Sequence, residues 1–188
     1  MLVRPGRLRG ILLVEPVVVA DDRGFFLETY RADAYAAAGI GDMFVQGNHS
    51  RSVAGTIRGL HFQLGPGQPK LVRAARGAAY DVVVDIRPES PTFGEWEAFE
   101  LDDSRHWQLY IPTGFAHGFC AVSPVVDLVY MVASYYDPAT ERGIAWDDPA
   151  LAIPWPAAEP IVSERDRRNP TLSEMRTLLA RPSGALSR

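Results

Sequence analysis

Arg58-Gly59-Leu60-His61-Phe62-Gln63, followed by Gly65-Pro66-Gly67-Gln68-Pro69-Lys70, sets a histidine, an arginine and a lysine into apolar, strand-like sequence bounded by glycine and proline. The theme returns at Ile111-Pro112-Thr113-Gly114-Phe115-Ala116-His117-Gly118-Phe119. Imidazole, guanidinium and ammonium groups are costly to bury without partners, so they line a polar cavity more readily than they fill a core. A strand-rich chain with a cavity built around His61 and Lys70 is the expectation.

The flanking sequence agrees. From Met43 to Tyr136 short β-type runs are broken by glycine and proline, and no amphipathic stretch is long enough for a βαβ crossover. Tyr80, Val82, Val84 and Ile86 alternate with Asp81, Val83, Asp85 and Arg87, predicting an antiparallel strand with one apolar and one mixed face; Glu95 through Leu101 alternates likewise. The predicted class is all-β, a barrel or jelly roll with a few short peripheral helices and a mouth sized for a small ligand. Upstream, Leu12 to Ala20 and Phe25 to Tyr30 flank the turn Asp21-Asp22-Arg23-Gly24, a hairpin signal. Asp33 through Ala38 before Gly39 predicts one short helix capped by Asp33. Asp137-Pro138 to Trp155-Pro156 reads as an irregular loop wrapping the barrel. Thr171 and Glu174 have capping-box spacing for a helix to about Ala180, and Pro182 to Arg188 is expected to be mobile.

Composition narrows the function. The 188 residues suit a single domain, and 22% charged with 47% hydrophobic residues is ordinary for a soluble protein. A net charge of -4 leaves no basic footprint for nucleic acid, so an anionic ligand needs a local cluster of arginine and lysine. The one cysteine, Cys120, excludes an intramolecular disulfide and fits a reducing compartment. No charged-then-apolar leader opens the sequence and no apolar run approaches a membrane span, so a cytoplasmic protein without a membrane partner is expected.

Pro112-x-Gly114-x-x-His117 resembles the second motif of cupin barrels, and Gly59-x-His61 resembles the first. A metal cupin carries His-x-His and then a glutamate; here His61-Phe62-Gln63 and Lys70 stand instead. One imidazole is missing and an ammonium replaces the carboxylate, which argues against a bound cation, and no metal is expected. The same cavity then offers His61 as a base and Lys70 as a cation for an enolate, chemistry suited to removing a proton beside a ketone. Tyr130, near the end of the Val125 to Val132 run, is a candidate acid for the opposite face.

Further motifs carry a more specific resemblance. Asp22-Arg23-Gly24-Phe25-Phe26-x-Glu28, Gln46-x-Asn48-x-Ser50, Asp81-Val82-Val83-Val84-Asp85-Ile86-Arg87 and Ser90-Pro91-Thr92-Phe93-Gly94-x-Trp96 join the two histidine stretches. Together they resemble the dTDP-4-dehydrorhamnose 3,5-epimerase family, metal-free cupins acting on dTDP-4-keto-6-deoxyglucose, over residues 11 to 172. The resemblance implies a cofactor-independent isomerase inverting C3 and C5 of the sugar. His61 would be the general base, oriented by Asp166, with Lys70 at the C4 oxygen and Tyr130 as proton donor.

It further implies that Arg23, Glu28, Gln46, Asn48, Arg58 and Arg165 surround the nucleotide and its diphosphate. His117, Tyr136 and Glu141 would line the sugar end, with Phe119 as a wall. The first hairpin, including Phe25, would reach the neighbouring subunit's site in a homodimer. Two departures stand out: Met131 and Arg165 occupy positions where lysine is frequent. Single-carbon epimerases and 3,4-ketoisomerases act on the same class of sugar nucleotide and are the alternatives. The bland expectations are that Phe25, Phe26, Phe62, Phe115 and Phe119 serve as wall and core, and that His49 and His106 lie at the surface.

Overall fold

Branched and aromatic runs between turn residues become fourteen strands and three helices within residues 1–180, which the computed structural model describes. In chain order the strands are β1 Leu2–Pro5, β2 Leu12–Glu15, β3 Val18–Asp21, β4 Gly24–Leu27, β5 Gln46–Val53, β6 Thr56–Gln63 and β7 Lys70–Arg76. There follow β8 Ala78–Asp85, β9 Trp96–Asp102, β10 Gln108–Ile111, β11 Phe115–Ala121, β12 Val125–Val132, β13 Glu141–Gly143 and β14 Ile161–Val162. The helices are α1 Ala32–Ala37, α2 Glu164–Arg167 and α3 Leu172–Leu179.

One antiparallel sheet runs β1-β2-β10-β7-β12-β5 and the other β13-β6-β11-β8-β9, with β14 joined in parallel to β6. This is the expected all-β jelly roll. Val72, Leu109 and Leu128 of the first sheet meet Val83, Phe115 and Phe119 of the second in the interior. The outer faces are also covered. Tyr35 of α1 and Ile40 pack on Val14, Leu71 and Tyr110 of the first sheet, while Ile144, Leu151 and α3 pack on Leu60, Val82 and Val84 of the second.

Several expectations need correction. Leu12 to Ala20 is not one strand, because Pro16, which lacks an N–H for the ladder, ends β2 inside the first sheet and only β3 pairs with β4. Helix α1 is preceded by Arg31 with no side-chain cap; Asp33 sits in its first turn. The loop after Asp137 contributes β13, paired with β6. β8 is buried on both faces, and its Asp81 and Asp85 are fully inaccessible. Phe25 and Phe26 are exposed, whereas His106 is buried beneath the Phe25 ring at 4.4 Å between centroids. The helix from Thr171 is as read, its capping box complete. The segment Pro182 to Arg188 lies outside the described residues.

Asp85 explains one of the quoted motifs. Burial raises the pKa of its carboxyl, but Arg87, Ser90 and Thr92 donate to it and together hold it at about 2. The part of these motifs from Asp85 to Thr92 is a hydrogen-bonded turn around a buried carboxylate and serves structure.

β6 and β11 approach most closely at two glycines. A Cβ on Gly118 would lie 2.7 Å from the Arg58 carbonyl oxygen and 3.1 Å from Gly59 Cα. Gly118→Ala is expected to destabilise the protein by about 2–3 kcal/mol through overpacking, a fall in Tm of roughly 5–10 °C by calorimetry for a chain of this size.

Candidate active site

His61 on β6 and His117 on β11 are direct cross-strand partners, and the next pairing is Arg58 with Phe119. Two residues separate the positions on β11 and three on β6, so β6 carries one extra residue. Gly59, with φ of 135°, absorbs it. In a regular strand residues three apart face opposite sides; here Arg58 and His61 line one cavity.

That cavity, of about 640 Å³, is also lined by Lys70, His117, Phe119, Tyr130, Glu141, Arg165 and Asp166. Its volume suits a small ligand. Asp166 is 4% exposed, placed by the Ser163 cap of α2, and its Oδ1 accepts from His61 Nε2 at 2.6 Å. Burial raises the Asp166 pKa, but the hydrogen bonds, led by His61, outweigh it and leave the carboxyl below its ordinary value. A carboxylate on Nε2–H fixes the tautomer that leaves Nδ1 bare, the arrangement of a base.

Opposite stands Lys70, whose pKa burial lowers to about 8 although Glu141 and Asp81 favour its charge. Burial and Glu141 raise the Tyr130 pKa, keeping the phenol protonated at neutral pH. Glu141 accepts from the Tyr136 hydroxyl at 2.8 Å and pairs with Arg165 at 2.5 Å. Arg58 Nε donates to Ser52 Oγ at 3.0 Å. Among the described residues no three His, Cys, Asp or Glu side chains converge as a metal-ligand set. Beyond Lys70 lies a second cavity of about 400 Å³, in which the one other charged side chain among the described residues is Arg87, already held by Asp85.

The family described as dTDP-4-dehydrorhamnose 3,5-epimerase matches residues 5–174. The chain belongs to this family. It is 45% identical over 166 residues to the dTDP-4-dehydrorhamnose 3,5-epimerase of Pseudomonas aeruginosa, covering 87% of this chain and 92% of that one. It is also 45% identical over 178 residues to a dTDP-4-dehydrorhamnose 3-epimerase of Streptomyces niveus, covering 94% and 86%. A Legionella pneumophila dTDP-6-deoxy-D-glucose-3,5-epimerase, solved with dTDP-4-keto-L-rhamnose, superposes with a TM-score of 0.91 at 41% identity, covering 94% and 95%. The protein is thus an isomerase of the dTDP-4-dehydrorhamnose 3,5-epimerase family with a cupin-type fold.

Not every residue singled out from the sequence of this epimerase lines the cavity. Gln46 and Asn48 sit beside it on β5: Gln46 Nε2 donates to Asn48 Oδ1 at 2.9 Å, and Gln46 Oε1 accepts from Tyr136 N at 3.0 Å. Arg23 is 89% exposed and bound to Asp21, Phe25 rests on His106, and Glu28 lies 3.8 Å from Arg31, all on or beside the β3–β4 hairpin. Met131, one of the departures, packs on the outer cluster of the first sheet and does not line the cavity.

Asp81 was missed. Both its oxygens accept from His117 Nε2 at 2.9 Å, giving the cavity a second histidine–carboxylate pair. An aspartate in the middle of an apolar run was the available signal.

Because the folded Asp166 pKa is depressed, the His61–Asp166 pair contributes stability above the ordinary carboxylate pKa of about 3.9, and this is lost as pH falls through the lower folded value. Thermal melts between pH 7 and 3 are therefore expected to show a steeper acid loss for wild type than for Asp166→Asn.

Proposed function

We propose that this protein inverts C3 and C5 of dTDP-4-keto-6-deoxyglucose, giving dTDP-4-keto-rhamnose, by proton removal beside the 4-keto group and reprotonation from the opposite face. The observation that carries this is the His61–Asp166 pair, 2.6 Å apart, in one cavity with Lys70 and Tyr130. C3 and C5 both adjoin the ketone, so one enolate-stabilising cation serves both. His61 belongs to the second sheet and Tyr130 to the first, so base and acid come from opposite walls, as inversion requires.

In the proposed sequence of events, His61 Nδ1 takes the proton and Asp166 stabilises the imidazolium that forms. Lys70 faces the C4 oxygen, supported by His117, which Asp81 orients. Tyr130 returns a proton to the other face of the carbon; His61 then releases its proton to solvent and Tyr130 regains one from it, so that both are ready for the next carbon. Arg58 and Arg165 balance the diphosphate, with Gln46, Asn48 and Tyr136 toward the base. Arg23, Phe25 and Glu28 serve the site of a second copy in a homodimer, which accounts for the exposed apolar faces of their hairpin. The buried Cys120 fits a cytoplasmic setting.

A C3-only epimerase is the second reading, favoured by the identity to the Streptomyces niveus 3-epimerase across 94% of this chain. Turnover in deuterated water separates the two, since double inversion places deuterium at both carbons and single inversion fixes it at C3 alone. Absence of exchange at either carbon by folded protein would refute both.

Two variants sharpen the roles. His61→Asn is expected to lower exchange at each carbon by roughly a hundredfold to ten-thousandfold, while Tyr130→Phe slows inversion more than the first proton loss. As the Lys70 ammonium deprotonates near pH 8, kcat/KM is expected to fall on the alkaline side with that apparent pKa. Lys70→Met removes this limb together with most of the activity; an unchanged alkaline limb in that variant counts against the role of Lys70.

A further inference from the structure

Arg73, on β7, lies between Gln108 of β10 and Val129 of β12 on the outer face of the first sheet. It borders a recess of about 70 Å³ with Thr29, Leu71, Gln108, Val129 and Met131. Arg51 has Asp127, Arg87 has Asp85, Arg105 has Asp102 and Arg165 has Glu141, while Arg58 and Arg142, without acids, donate to Ser52 Oγ and to backbone carbonyl oxygens. Arg73 makes no ion pair among the described residues. Burial draws its pKa below the ordinary arginine value, opposed among the described residues by Tyr35 alone, itself held near 12 and so neutral at physiological pH. The Gln108 amide is engaged by the Thr29 carbonyl oxygen at 2.9 Å. A half-buried cation flanked by Leu71, Val129 and Met131 is a cost unless an anion arrives.

The recess adjoins a surface that also calls for cover. Thr29 belongs to the segment leaving the β3–β4 hairpin, and that hairpin is a two-stranded sheet joined to neither larger one. Val19, Phe25 and Phe26 on it are 61%, 59% and 73% exposed. Two strands are marginal by themselves, and with Val19 and Phe26 cross-strand partners on one face and Phe25 on the other, the hairpin exposes apolar side chains on both faces, which marks an interface. A second copy presents the same patch, and the net charge of -4 means that it arrives with carboxylates in excess.

We infer that Arg73 is an interface ion: when two copies associate along the β3–β4 hairpins, its guanidinium takes a carboxylate of the second copy. This rests on the homodimer proposed above and adds the group that anchors it. Arg73 acts on association and touches no substrate.

Sedimentation over a dilution series tests it with three proteins: wild type, Arg73→Met, which keeps the stem and removes the charge, and Arg73→Lys, which keeps the charge and loses the fork. The expected result is a dimer dissociation constant raised at least about tenfold in the methionine variant, with the lysine variant between. Far-UV circular dichroism should be unchanged, and the methionine variant's monomer should melt no lower than wild-type monomer, because an uncompensated half-buried charge has been removed. Should Arg73→Met not fold, Arg73→Lys decides, with weakened association expected. Association as tight as wild type in the folded variants overturns the inference and leaves the dimer standing. A wild type that is monomeric throughout overturns both, while isotope exchange at the sugar remains a separate measurement of the reaction.

Discussion

The active site depends on one steric fact, the close approach of β6 and β11 at Gly59 and Gly118. A Cβ on Gly59 would sit 2.5 Å from Gly118 Cα, so no other residue type fits there while the strands stay paired. The extra residue that Gly59 absorbs turns Arg58 and His61 to the same side. Without it, strand alternation would send one of them to the outer face, where Leu60 and Phe62 pack beneath Ile144. The Arg58 guanidinium and the His61 imidazole are thus brought together by a bulge whose cost is borne by a glycine pair and by the uninterrupted pairing of β11 with β8.

Around that bulge the charges are arranged so that each carboxylate has a defined partner while the cation nearest the proposed chemistry does not. Asp166 is committed to His61, Asp81 to His117 and Glu141 to Arg165 and Tyr136. Lys70 feels Glu141 and Asp81 only at a distance, and burial draws it down to about 8. An ammonium so placed is charged at neutral pH yet poorly satisfied, so a developing enolate oxygen gains more from it than from a lysine in solvent.

The barrel was legible because its signals are local: turn residues at short intervals, period-2 alternation, and a capping box at Thr171. His61, Lys70, His117 and Tyr130 were legible as polar groups in apolar strands; base, cation and acid were suggested for His61, Lys70 and Tyr130 by their chemistry, while a place for His117 at the sugar end came only through the family motifs. Asp166 has no local signal at all, since it comes from a four-residue helix far along the chain. Asp81 was hidden by its own strand: alternation assigned it to a mixed face, but a jelly roll buries both faces of β8, which turns a mixed face into a charged interior. Pro16 and the pairing of β13 with β6 were missed because both depend on which strand lies next door, and single-sequence patterns do not carry that.

His106 and Phe25 show the same limit from the other side. His106 was read as a surface residue and Phe25, in its bland reading, as wall or core, and the single chain places them the opposite way, with the imidazole buried and the ring over it largely exposed. Residue type is a statement about the completed assembly. An aromatic pair left exposed at a hairpin, next to a half-buried arginine without an acid, leaves hydrophobic and electrostatic requirements unmet within one short stretch of surface. A single docking partner that brings both apolar area and a carboxylate meets them together, whereas solvent meets neither.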